Sequence, residues 1–218
     1  AAMHGSRWLP SDRPAELNRV RCGSDPGITI HRDSLLDDEV CLVQSIDCTT
    51  VARTAFDMGR RIAGDEAIIR IDALLNATRC PLAEVHRVAA RHPGARGIRH
   101  LREVLDLVDG GAESPQETYL RLLVVDHDFP PPQTQIPVYD ECGVLVAELD
   151  MGWEDMMIGL DYEGDHHRQT RYAFNKGIRR HDAVTGLGWT DIRVTSSDTD
   201  GGIIATLATA WRQRLCAQ

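Results

Sequence analysis

Glu148-Leu149-Asp150-Met151-Gly152-Trp153, then 156–168 (MMIGLDYEGDHHR), then 171–180 (RYAFNKGIRR), reads as strand, strand, helix. Asp150 closes the apolar run 144–149, and Asp161 and Glu163 close the run 156–160. Residues two apart in a strand share a face, so Asp161 and Glu163 point the same way. If the two strands are neighbours, Asp150 joins them. Carboxylates gathered like this repel one another, and a hard divalent ion such as Mg²⁺ is the natural reason to gather them.

Working outward, Ser114-Pro115-Gln116-Glu117 is a capping box with proline in the first turn, opening a helix over 115–127. Phe129-Pro130-Pro131-Pro132 stops it. Strands follow over 134–139, 143–150 and 156–162, with Asp140-Glu141-Cys142-Gly143 as a hairpin turn. A basic helix over 168–185, a strand over 189–194 and a helix over 202–215 complete an α-β-β-β-α-β-α order. Gly110-Gly111-Ala112-Glu113-Ser114 marks a boundary, so the chain divides into 1–110 and 111–218. Residues 1–26 read as mostly loop. Strands over 27–33 and 40–44 are placed to pair with each other. Helices are expected over 51–61 (capped by Thr49 or Thr50), from 64–66 onward with Ile68, Ile69, Ile71, Leu74 and Leu75 inward, over 81–91, and over 97–108. The N-terminal region is thus a small α+β to helical layer.

The 218 residues are 42% hydrophobic and 26% charged, ordinary for a globular protein of one large or two small domains. Apolar stretches such as 203–208 are far too short to cross a membrane, and no secretory leader opens the chain. Six scattered cysteines without a C-x-x-C pair or zinc spacing point to a reducing cytoplasm. The start Ala1-Ala2-Met3-His4-Gly5 has the look of a cut end. A net charge of −9 argues against indiscriminate polyanion binding, but two segments run against it. Residues 86–102 carry Arg87, Arg91, Arg96, Arg99 and Arg102 without an acid. Residues 168–180 carry Arg168, Arg171, Lys176, Arg179 and Arg180, also without an acid. The first patch reads as solvated helix faces, the second as a surface for a phosphate backbone.

The element order together with Glu113-Ser114-Pro115-x-Glu117, Leu149-Asp150-x-x-Trp153, Asp161-Tyr162-Glu163-Gly164-Asp165-x-His167, and Arg180 followed by Leu187-Gly188-Trp189 and Ile192-Arg193-Val194 resembles the very-short-patch-repair-endonuclease-like domain of the PD-(D/E)XK nuclease superfamily. That domain is common in actinobacterial, including mycobacterial, proteins of unassigned role. Their upstream region is AbiEi-antitoxin-like and begins with a winged helix. Residues 1–8 and 49–57 resemble the later part of that region, without the winged helix. The resemblance implies a mixed four-stranded sheet and a DNA endonuclease using Mg²⁺ or Mn²⁺. Asp150 and Asp161 would hold the ion, with Glu163 and Glu117 assisting and His167 removing the proton of the attacking water. Arg168, Arg171, Lys176, Arg179 and Arg180 would hold the DNA backbone, Arg180 alternatively pairing with one of the acids. Relatives usually read Glu-x-Asp-Gly at 161–164 and often carry an acid at Gly177. The superfamily lysine position is Glu163 here, and Lys176 or Arg180 could supply its charge. The alternative is a regulatory or antitoxin-like DNA-binding protein that keeps the nuclease fold without turnover. Expected partners are DNA, a second copy of the chain and, on the alternative, a toxin; no membrane is expected.

Overall fold

The computed structural model describes residues 1–9, 12, 14–19, 26–164 and 171–217, with the side chains of 171–176 and 217 left out. Seven α-helices and eight strands lie among the described residues. The chain divides after Gly110 into two compact units, Ala1–Gly110 and Gly111–Gln218.

In the first unit, β1 (Ala15–Asn18) pairs in parallel with β2 (Ile28–His31), and β3 (Val40–Val43) pairs antiparallel with β4 (Ile46–Thr49). The stretch expected as loop therefore contains a strand, and β2 and β3 do not pair with each other. β4 escapes a pattern reading because its turn, Gln44-Ser45, takes positive φ at both residues without glycine or asparagine. Four helices follow: α1 (Val51–Arg61), α2 (Asp65–Thr78), α3 (Leu82–Arg91) and α4 (Ile98–Leu105). Thr50 caps α1 by accepting from the Arg53 N–H. Phe56, Ile71, Leu74, Val85 and Leu101 meet in their core. Glu39 and Arg53 are buried with them. Arg53 Nη1 donates to Glu39 at 2.5 Å and to the Ser34 carbonyl, and its Nε donates to Asp57.

In the second unit, α5 (Pro115–Asp126) precedes β5 (Gln133–Tyr139), β6 (Leu145–Trp153) and β7 (Ile158–Glu163). Then come α6 (Arg171–Gly186), β8 (Thr190–Thr195) and α7 (Asp200–Ala217). The strands form one mixed sheet in the order β5-β6-β7-β8, antiparallel except for the parallel pair β7/β8. One face packs Met151, Trp153, Ile158, Leu160, Ile192 and Val194 against Leu120, Leu123 and Val124 of α5 and Ile203 and Leu207 of α7. On the other, Ile136, Val138, Ala147 and Leu149 meet Val184 of α6, with Leu187 and Trp189 alongside. Trp153 is core, its indole N–H donating to the Pro130 carbonyl at 2.8 Å.

Candidate functional site

The regular ladder between β6 and β7 runs Trp153↔Ile158, Gly152↔Gly159, Met151↔Leu160 and stops there. The next couple, Asp150 and Asp161, replaces backbone bonds with side-chain ones. The Asp150 N–H donates to Asp161 Oδ1 at 2.9 Å, and the Tyr162 N–H donates to Asp150 Oδ2 at 2.7 Å. The strand also turns over at this point. Leu149 and Met151 are two apart yet lie in different cores, so the alternation that puts such residues on one face is broken at Asp150. Gln135, at the facing position of β5, drops out of the register and takes φ 53°. Gly159 makes room for the displaced chain, since a Cβ there would stand 2.6 Å from Leu149 Cδ1. Asp150 and Asp161 are therefore brought together by an irregularity of the sheet rather than by simple pleating.

Glu117 completes the group from α5. Its carboxylate accepts from the Glu113 N–H at 2.7 Å and from the Ser114 hydroxyl at 2.8 Å; Ser114 caps the helix by accepting from the Glu117 N–H, while the acid's return bonds go to the residue before the cap and to the cap's own side chain. Glu117 is nevertheless buried and close enough to Asp150 and Asp161 for each to feel its charge. Burial, then Asp161 and then Glu117 push the Asp150 carboxyl up to about 7 from 3.8. Burial also pushes Glu117 up, by more than its hydrogen bonds draw it down. Asp161 is only 3% exposed and pairs with Arg180, whose second Nη donates to the Glu148 carbonyl at 2.5 Å. Burial alone would lower the Arg180 guanidinium. Asp161, with Asp191 and Asp150 beyond it, more than offsets that and holds it above its ordinary value.

Glu163 shares the α6-facing side of β7 with Asp161, as alternation requires, but it has its own counter-ion. It pairs with Arg193 of β8, the residue opposite Asp161 in the parallel register. Gly177 permits the arrangement, since a Cβ there would come within 3.0 Å of Arg193 Nη2. Arg180, expected on a DNA backbone or paired with an acid, is turned inward onto Asp161. It lies on the same helix stripe as Gly177 and Val184. Arg179 is exposed. His167 and Arg168 lie outside the described residues, as do the side chains of Arg171 and Lys176, whose backbones belong to α6. In the other basic segment, Arg87 pairs with Glu84 and Arg91 with Asp38 and Glu39, so part of that charge is neutralised.

Among the described residues, no three His, Cys, Asp or Glu side chains are gathered as a ready cage for an ion. Both oxygens of Asp161 are committed, to the Asp150 N–H and to Arg180. The donor chemistry still suits a hard cation. The acids are all oxygen ligands, they are buried at one another's expense, and Asp150 Oδ1 accepts no hydrogen bond among the described residues. Sequence reading missed three residues here: His181, Asp191 and Arg193. The Thr190-Asp-Ile-Arg-Val194 alternation does put Asp191 and Arg193 on one face, opposite the buried Ile192 and Val194. The spacing from Gly177 to His181 to Val184 puts His181 on the inner stripe of α6.

No family model matches the chain, and no solved structure matches it. It is similar to two uncharacterized proteins of Mycobacterium tuberculosis, MT2308 of strain CDC 1551 / Oshkosh and Rv2248 of strain ATCC 25618 / H37Rv. Each is 31% identical over 150 residues, which is 69% of this chain and 55% of the relative. The chain thus spans about half the length of these curated relatives. Among the described residues, no helix is long and apolar enough to cross a membrane.

Proposed function

We propose that residues 111–218 form a PD-(D/E)XK-type nuclease domain of the very-short-patch-repair-like kind, hydrolysing DNA phosphodiester bonds with Mg²⁺ or Mn²⁺. The observation that carries the reading is Asp150. A carboxyl group buried beside two other carboxylates and pushed up to about 7 is costly to the fold, and such cost concentrates at functional sites. Asp150, Asp161 and Glu117 are the residues that would hold the ion. A divalent ion bound there supplies a Lewis acid for the phosphoryl oxygen and acidifies a water. The chain's own part is to fix two carboxylates across adjacent strands through the Asp150 and Tyr162 N–H groups, and to keep Arg180 beside them, where it can turn from Asp161 to a phosphate. The exposed Arg179, with Arg168, Arg171 and Lys176, would hold the DNA backbone without reading sequence.

A second reading has its own support. Arg180 already gives Asp161 a cation, and Arg193 gives one to Glu163, at the position where the superfamily has lysine. A DNA-binding regulator without turnover would look like this. The two are separated by assaying nicking of single-stranded, duplex and mismatched DNA with Mg²⁺ or Mn²⁺. The nuclease reading expects metal-dependent cutting that Asp150→Asn abolishes while the metal-free melting temperature is unchanged or higher. No cutting by the wild type on any substrate leaves the regulator.

A further inference from the structure

The inner face of α6 meets the sheet through acid–base pairs, and one of them is not used by the site described so far. His181 Nδ1 lies 2.6 Å from Asp191 Oδ2. The Asp191 side chain is 0% exposed and that of His181 37%. Asp191 Oδ1 is buried and has no hydrogen-bond partner among the described residues. Sinking a carboxylate under a helix with one oxygen unsatisfied is expensive, and an apolar residue at this strand position would avoid the expense. What Asp191 achieves is to fix the His181 ring. With Nδ1 committed to the acid, Nε2 is the ring nitrogen left over on a partly exposed side chain, and among the described residues nothing pairs with it. An acid behind Nδ1 and an exposed Nε2 is the arrangement that prepares an imidazole to take a proton.

Its position is also informative. Asp191 stands opposite Gly159 in the parallel register, two residues before the Asp161↔Arg193 couple and on the same face of the sheet. With strands about 4.8 Å apart and a rise of about 3.3 Å per residue, such diagonal neighbours lie on the order of 8 Å apart. The charge of Asp161 reaches Asp191. Arg180, adjacent to His181 in α6, is bonded to Asp161.

We propose that His181, oriented by Asp191, accepts the proton of the attacking water in the phosphodiester hydrolysis. It thereby fills the part that the resemblance gives to a lysine at the Glu163 position. The inference rests on the nuclease reading above. One water proton passes to His181 Nε2 as the water oxygen bonds to phosphorus. The bond from phosphorus to the leaving deoxyribose oxygen breaks, and that oxygen takes a proton from solvent. Asp191 is a positioning residue: it holds the ring and stabilises the imidazolium. The charged groups presented to this helix are Asp191 and Arg193 from β8, Asp161 and Glu163 from β7, and Asp150 from β6. Arg179, Arg180 and Asp182 adjoin His181 on α6 itself.

The test uses the full chain and two readouts. The ring proton resonances of His181 are assigned by their loss in His181→Gln, and substoichiometric Mn²⁺ is then added to the wild type. The proposal expects selective broadening of the His181 signal that is absent in Asp150→Asn. Cleavage is measured across pH in parallel. His181→Gln is expected to lower kcat by about 10²–10⁴-fold with DNA affinity retained. Asp191→Asn is expected to lower it by a smaller factor and move the acid limb of the profile, and Asp191→Glu to restore part of the loss. A sharp His181 signal in the Mn²⁺-bound protein, or His181→Gln cutting at the wild-type rate, overturns this proposal and leaves the nuclease reading standing. A wild type that neither binds Mn²⁺ nor cuts DNA overturns both.

Discussion

Two groups of buried and half-buried acids in this chain behave in opposite ways. In the first unit Glu39 is fully buried, and burial pushes its carboxyl up. Hydrogen bonds from His92 and Arg53 more than reverse this and hold it below its ordinary value. Asp33 is held low in the same way by Arg60 and Arg61. In the second unit Glu117, Asp150 and Asp191 are all pushed up. The difference lies in the supply of cations. The first group is matched acid for guanidinium and reads as scaffolding. Among the described ion pairs and hydrogen bonds, the second sets Glu117, Asp150, Asp161 and Asp191 against Arg180 and His181, fewer cations than acids. A cluster that remains short after folding is one whose missing charge is expected to arrive with a ligand.

The largest expected effect tests the scaffolding half. Arg53→Met takes from Glu39 its one fully buried partner and leaves it only Arg91 and His92, and removing one member of a buried pair typically costs about 3–5 kcal/mol. A loss below about 1 kcal/mol in denaturant unfolding of the first unit would break the comparison. Asp150→Asn should go the other way. Its folded pKa of about 7 lies above the ordinary 3.8, so the folded state keeps a proton that the unfolded chain releases. Stability is therefore lost as pH rises between those values, and the whole penalty is present above pH 7. The substitution removes that penalty, with an expected gain of about 2–3 kcal/mol at pH 8 and almost none at pH 4. Thermal melts of the metal-free protein at both pH values check the sign. Glu39 gives the opposite dependence: its contribution is lost as pH falls below about 4.5.

Gly159→Ala tests whether the frame of the acid site is rigid. A Cβ 2.6 Å from Leu149 Cδ1 forces the chain beside Asp150 to move, at about 1–3 kcal/mol. A neutral result in the same melts would mean that the turnover of β6 is soft. The smallest effect concerns the outer face of α6. Arg179→Ala should reduce the salt slope of duplex binding by about 0.9, one phosphate's worth. A slope unchanged in a fluorescence titration removes Arg179 from the DNA surface.

The order of elements in the second unit and the adjacency of Asp150 and Asp161 were legible because both rest on local signals. Apolar runs ended by acids, a proline-opened capping box and glycine turns are all written in neighbouring residues. What was hidden depends on contacts between distant ones. Nothing local says that β6 turns over at Asp150, since that follows from Leu149 finding space over Gly159. Arg180 reads equally as a phosphate contact or as the partner of an acid until the inner stripe of α6 is known, and Arg193 as an ordinary strand residue until it meets Glu163. Asp191 and His181 were passed over because neither lies in an acid run or a histidine pair. β4 was missed for want of a glycine or asparagine in its turn, and β1 because its parallel partner, β2, lies beyond an intervening segment.

The central claim is that the acid cluster of the second unit is completed by a divalent cation. The direct test is a Mn²⁺ binding titration of the wild type and Asp150→Asn at pH 8, above the Asp150 value. The expected result is one saturable site in the wild type, a higher melting temperature on loading, and loss of both in Asp150→Asn. Wild-type protein that takes up no Mn²⁺ saturably, or binds it equally well without Asp150, contradicts the account.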